Sequence, residues 1–310
     1  MVFRERHKPQ RLKGSRHPGI LIPSRFSRIL SCSLWLGSLL NSSAALPAQT
    51  SELQQLPPQV VQERLKRYAQ SNPARETVIK KLFSEAGCTA LKEQPVQKSA
   101  LPNVVCTLPG TGGGVIVVGA HFDHVRRGDG VVDNWSGASL LPSLYQSLSA
   151  KPRHHTFVFV SFTDEEKGFV GSQAYVKGLS EEEIARIQAM IDIDTLGLGP
   201  TEVWVHNSDP RLVKRLFSTA AAMNLPAWEM NVDGVGDSDG RSFKDRKIPI
   251  ITLHSVTSET LGILHTDRDT LSAIRWSDYY GSYQLIAAFL STLDSASLRA
   301  TESTEKGEIH

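Results

Sequence analysis

Four runs of near-continuous aliphatic and aromatic residues, Val115–Ala120, Thr156–Phe162, Met190–Asp194 and Ile250–Ser255, alternate with segments whose apolar residues recur at helical spacing. A strand that is apolar at almost every position must be covered on both faces, and helices packed between successive strands supply that cover. The pattern predicts an α/β fold: a three-layer α/β/α sandwich around a mixed, mostly parallel twisted sheet. Helices are expected at Pro58–Gln70, Glu76–Ala86, Gly137–Leu148, Gly168–Lys177, Pro210–Asn224 and Ser277–Leu293. Further strands are expected at Cys88–Gln97, Asn103–Leu108 and Glu202–Asn207. Asp209-Pro210 reads as a helix start, and Ser180 with Glu183 as a capping box before a short helix at Ile184–Gln188. The glycines of Gly110–Gly114 come before a strand instead of between a strand and a helix, so this stretch is read as a hairpin turn and not a phosphate loop.

With 310 residues, a hydrophobic content of 40% and a charged content of 21%, the chain suits one sizeable globular domain. That domain is placed at 49–294, with the polar, aperiodic residues 295–310 as a disordered tail. The net charge is only +2, and much of the basic excess lies in the leader from Arg4 to Arg28. What remains is mildly acidic, which argues against nucleic acid as the main partner. After the leader, Ile29–Leu40 is a short apolar run followed by small residues up to Ala48. Residues 1–48 therefore read as a basic leader and secretory signal, with an uncleaved anchor as the alternative. The expectation is an exported protein, periplasmic or extracellular, with no stable membrane insertion once the signal is removed. Cys32 would leave with the signal, so Cys88 and Cys106 remain as a disulfide or as two buried thiols. No further domain is visible, and a monomer is expected.

Polar groups gather where the apolar strands end. His121 and Asp123 follow the first, Asp164-Glu165-Glu166 the second, and Asp194 closes the third. Asp133 opens the segment leading into the next helix, and His265 lies shortly after the strand Ile250–Ser255. In open α/β sheets, ligands bind at the carboxyl ends of the strands. Singly, each residue is ambiguous, because an acidic residue there is commonly a helix cap. Together, two histidines and several carboxylates with no cysteine form a nitrogen–oxygen set suited to zinc, with cobalt or manganese as substitutes. The carboxylates are too many for one closed tetrahedral zinc, whereas two metals sharing one carboxylate use them all.

These motifs carry a resemblance. Gly119-Ala120-His121-Phe122-Asp123, Asp133-Asn134-Trp135-Ser136-Gly137-Ala138, Asp164-Glu165-Glu166-Lys167-Gly168, Ile191-Asp192-Ile193-Asp194, Ser238-Asp239 and His265-Thr266 with Asp269-Thr270 are together similar to the co-catalytic two-zinc exopeptidases. That family includes bacterial leucyl aminopeptidase, aminopeptidase Y and glutamate carboxypeptidase II, and the likeness covers roughly residues 75–292. It implies two zinc ions per chain: one held by His121 and Asp194, the other by Glu166 and His265, with Asp133 bridging. It also implies Glu165 as general base, Asp123 hydrogen-bonded to the far nitrogen of His121, and a cis peptide between Asp133 and Asn134. Where the family often has histidine after Ser-Asp, this chain has Gly240 and then Arg241, which bears on substrate preference.

The function implied is an aminopeptidase acting on peptides with a free N-terminus, with Leu261, Ile263 and Leu264 as candidate lining for the first side chain. The alternatives are a glutaminyl-peptide cyclotransferase or a carboxypeptidase on the same scaffold, or a binding module that has lost catalysis. For a carboxypeptidase, Arg126, Arg127, Arg241 and Arg246 are the available cations. Ser136 sits in a turn motif and not a nucleophile elbow. Asp233, Asp237 and Asp239 miss the rhythm of a calcium loop. His154 and His155 are read as surface residues and His254 as structural.

Overall fold

A computed structural model describes residues 54–234 and 236–295; the leader, the signal and most of the expected tail lie outside the described residues. Eight strands form one sheet in the order β1-β2-β4-β3-β5-β8-β6-β7. They are β1 (Leu91–Gln94), β2 (Asn103–Leu108), β3 (Val115–His121), β4 (Thr156–Phe162), β5 (Ile187–Ile193), β6 (Thr201–Val203), β7 (Ala227–Glu229) and β8 (Ile250–His254). The central run β4-β3-β5-β8 is parallel throughout, as are β6 and β7. Pairing is antiparallel at β1-β2, β2-β4 and β6-β8.

The helices are α1 (Pro58–Leu65), α2 (Asn72–Glu85), α3 (Ser136–Ser149), α4 (Val170–Lys177), α5 (Glu181–Arg186), α6 (Pro210–Met223), α7 (Gly240–Lys244) and α8 (Trp276–Asp294). Alternation along β3 sorts them onto two faces. Ile116, Val118 and Ala120 join a large core with residues of α1, α2, α3, α6 and α8. Val117 points the other way, into a smaller core with Tyr175 and Val176 of α4 and Phe243 of α7. This is the expected three-layer sandwich.

Several local expectations change. The glycine stretch after β2 is not a hairpin, because β2 and β3 are not neighbours; β4 lies between them. The stretch passes over the entry to β4, with Thr111 N–H donating to the carbonyl of Arg153 and Gly112 N–H to that of His154. A Cβ on Gly110 would lie 2.3 Å from the backbone of His155, so the crossing needs glycine there. The capping box at Ser180 is present, but it starts α5 at Glu181, and pairing of Ile187 with Val115 has already begun β5. Asp209 caps α6 by accepting from the N–H groups of Arg211 and Leu212. The segment expected as a strand to Asn207 pairs only over Thr201–Val203 and then turns. Cys88 and Cys106 form a disulfide joining the end of α2 to β2. His155 is not a surface residue: it is buried, and its Nδ1 lies 3.2 Å from the carbonyl oxygen of Asp294.

Candidate metal centre

The carboxyl ends of β3, β4 and β5 lie side by side in the sheet, which is why residues far apart in sequence meet there. His121 is the last residue of β3 and is buried. Glu165 and Glu166 lie in a 3-10 turn, Glu165–Lys167, just beyond β4, and Asp194 follows β5. Asp133 lies in the wide turn Val131–Trp135 that leads into α3. His265 reaches in from the segment after β8 and is the open member, with 54% of its side chain exposed against 2% for His121.

All of these meet. Ligand-type atoms of His121, Glu165 and Asp194 lie within 4.8 Å of one another, and so do those of Asp133, Glu166 and His265. The two triads join through Asp133: one of its oxygens is 3.3 Å from Nε2 of His121 and the other 3.1 Å from Nε2 of His265. Nε2 of His121 is also 3.6 Å from Asp194, and Nε2 of His265 is 3.0 Å from Glu166. Glu165 stands further back, 4.0 Å from Nε2 of His121.

Asp123 has a broader part than orienting His121. Nδ1 of His121 lies 3.2 Å from the backbone carbonyl oxygen of Asp123 and 3.5 Å from its carboxylate. That carboxylate accepts the N–H groups of Glu165 at 3.1 Å and Glu166 at 3.3 Å. It therefore ties the turn after β4 to the end of β3.

Other braces come from residues of the same motifs, and they include the expected cis peptide. The Asp269 carboxylate accepts from the N–H groups of Val132 and Asp133, linking the His265 segment to Asp133. The peptide between Asp133 and Asn134 is cis. The Asn134 side chain donates to the carbonyl of Ile193 and accepts from the N–H of Thr195, which fixes it to both sides of Asp194. A Cβ on Gly137 would lie 2.6 Å from Asn134 Oδ1, so this close approach needs glycine. Asp192 holds the N–H of Gly240 at the start of α7, beside buried Asp239. Asp164, Thr195 and His265 take left-handed backbone conformations, which non-glycine residues adopt mainly where surrounding structure enforces them.

Burial disfavours charge here, and it pushes the Glu165 carboxyl up to about 10; the carboxylates of Asp239, Asp194 and Asp133 add to the shift and His121 opposes it. Hydrogen bonds to Asp133 and Glu166 bring His265 up to about 10. Burial works against the charged form of His121, yet Glu165, Asp123, Asp133 and Asp194 hold it well above its ordinary value. Asp133 is buried too, but the two imidazoles hold it below the usual carboxylate range. The cluster is a place where positive charge is retained. Two imidazoles among several carboxylates, with no thiolate, make a donor set that fits zinc.

The remaining candidates separate from this cluster. Asp233 accepts from Trp204 and contacts His206, Asp237 pairs with Arg241, and Asp239 is buried; they do not form a calcium loop. His254 accepts at Nδ1 from the N–H of Val256 and faces the Met230 carbonyl with Nε2, a structural role. Ser136 Oγ donates to the Val132 carbonyl and accepts from the N–H of Leu196, as a structural hydroxyl does.

Comparison with known proteins points the same way. The sequence model of peptidase family M28 matches residues 103–290. Leupeptin-inactivating enzyme 1 of Streptomyces exfoliatus is 30% identical over 157 residues, which are 49% of this chain and 35% of that protein. The match thus spans about a third of that curated relative. Among solved structures, BSAP, a zinc aminopeptidase from Bacillus subtilis, superposes with a TM-score of 0.57 at 22% identity, covering 62% of this chain and 49% of its own. A glutaminyl cyclase from an Acidobacteriales bacterium gives 0.68 at 19% identity, covering 81% and 98%. At these identities the structural matches speak for the fold.

Proposed function

The chain belongs to peptidase family M28, and from that premise we propose that it is a zinc aminopeptidase removing N-terminal residues from peptides. The observation that carries the reading is the pair of triads meeting at the Asp133 carboxylate. In it, His121 and Asp194 hold one zinc, Glu166 and His265 a second, and Asp133 is shared. When bound, the ions supply Lewis acidity toward the scissile carbonyl and a water acidic enough to react near neutrality. Glu165 is the general base: it takes the proton of the attacking water and delivers it to the departing amine. Its 4.0 Å distance from His121 and its partial burial suit a group that stands beside the ligands without being one. Asp123 places that base through the N–H of Glu165. Leu261 and Ile263, half-buried in the 3-10 turn Leu261–Ile263, and Leu264, between that turn and His265, offer apolar cover for the first side chain.

A glutaminyl-peptide cyclotransferase is the second reading, favoured by the extent to which this chain covers the Acidobacteriales cyclase. A panel of amino-acid p-nitroanilides, set beside glutamine-initiated peptides, separates the two. The aminopeptidase reading expects p-nitroaniline release that chelator abolishes, and about two zinc ions per chain. No release from any unblocked substrate, together with ring closure of N-terminal glutamine, would replace it with the cyclase reading.

A further inference from the structure

We propose that Arg75 is a positioning residue for this centre: its guanidinium sets the stretch 122–135, and with it the places of Asp123 and Asp133. The inference rests on the zinc-peptidase reading above. Arg75 belongs to the first turn of α2, a helix that contributes none of the candidate ligands. Its side chain is nonetheless fully buried.

The reason lies in what the guanidinium touches. Nε donates to the carbonyl of Ala69 at 2.8 Å, Nη1 to that of Phe122 at 3.2 Å, and Nη2 to that of Asp129. The group also lies over the Trp135 ring, 5.5 Å from its centre. Phe122 separates His121 from Asp123, while Asp129 and Trp135 stand on either side of Asp133. One rigid planar group therefore grips both ends of the stretch that supplies two of the site's carboxylates. Only a guanidinium offers donors in such a fork; an ammonium brings the charge without the plane.

These hydrogen bonds all end on carbonyl oxygens, so the positive charge is not committed to one carboxylate. Burial lowers the Arg75 pKa to about 10, while Asp269, Asp123, Asp133 and Asp129 act to keep it charged. Geometry and charge therefore make opposite predictions for zinc. A nearby cation by itself repels zinc, so loss of the charge alone would tighten binding. Loss of the fork would loosen it.

Arg75→Lys separates the two, because it keeps the charge and removes the fork. Zinc affinity is measured by competition with a fluorescent chelator on purified full-length protein, alongside kcat, KM and Tm. Arg75→Lys is expected to weaken zinc binding about 10- to 100-fold and to lower kcat with KM little changed. Phe83→Leu, an equally buried change on the same helix, serves as the control: its Tm falls while zinc affinity and kcat stay at wild type. Should Arg75→Lys not fold, Arg75→Gln removes the fork and the charge together: loss of positioning weakens zinc binding, whereas loss of charge alone would tighten it. Arg75→Gln is expected to lose zinc affinity in the same way. Wild-type zinc affinity in either folded variant, with Tm alone reduced, overturns the positioning role. A wild-type protein that binds no zinc would instead overturn the underlying reading.

Discussion

Asp133 and His265 meet at 3.1 Å, through the one carboxylate oxygen that does not face His121. A single side chain thus joins a buried imidazole to an exposed one, and in the proposed reading its two oxygens are shared between the two metal positions. Asp133→Asn keeps the shape and removes one anionic oxygen. We expect zinc content to fall by about one ion per chain and kcat/KM to drop about 100-fold or more. Full zinc content in the Asp133→Asn variant would refute the sharing.

Glu165→Gln tests the base separately from the ligands. Glu165 is further from His121 than Asp133 is, so the ions should remain while proton transfer stops. The expected result is wild-type zinc stoichiometry with activity lower by about 100- to 10,000-fold. Loss of zinc in parallel with activity would move Glu165 from base to ligand.

The metal-stripped protein should weaken as pH rises. His265 goes from an ordinary 6.5 to about 10, so its contribution is full below 6.5 and is lost as pH rises through 10. Glu165 goes from 4.5 to about 10, so the folded chain again holds a proton that the unfolded chain releases over that range. Both slopes have the same sign. Urea unfolding of chelator-treated protein should give lower stability at pH 9 than at pH 6, and zinc addition should release protons in a calorimeter. Flat or rising stability between those pH values would contradict the assignment.

Glu202 provides a pH effect outside the candidate metal-ligand set. Burial alone pushes its carboxyl up to about 7. His254 Nδ1 lies 3.7 Å away, but burial lowers the pKa of that imidazole and its Nδ1 accepts from the N–H of Val256, so it brings no positive charge. Its pKa is raised on folding, so stability falls as pH climbs from 4.5 through 7. Glu202→Gln should remove that slope and, after allowance for partial solvent screening, add about 1–2 kcal/mol at pH 8. A variant less stable than wild type at pH 8 would show that the carboxylate has a partner.

The Cys88–Cys106 bridge closes a loop across a sequence separation of 18. Its removal by Cys88→Ala with Cys106→Ala should lower stability by about 3 kcal/mol with zinc content unchanged. Equal losses of zinc and stability would tie the bridge to the centre.

The candidate residues are legible in the sequence because each sits just beyond an apolar run or at the head of a helix, and strand ends are where an α/β sheet gathers ligands. The supports are not. Asp269 is visible only as part of a motif, and its bonds to Val132 and Asp133 close a gap of more than 130 residues that no local pattern reports. Nothing in the sequence singles out Arg75, since burial of a guanidinium depends on carbonyls supplied by a distant loop. Strand β7, Ala227–Glu229, is too short to show periodicity, and its Trp228 is 51% exposed. The glycine crossing after β2 looks like a hairpin because which strand inserts between two others is a property of the whole sheet.

The unequal exposure of His121 and His265 also bears on how the protein would fare when zinc is scarce. If two ions bind as proposed, the one beside His121 would exchange more slowly, since the other could leave as the exposed His265 imidazole swings aside. Under starvation the population would drift toward half-filled molecules instead of empty ones. Recovery would then require a single capture event at the rim.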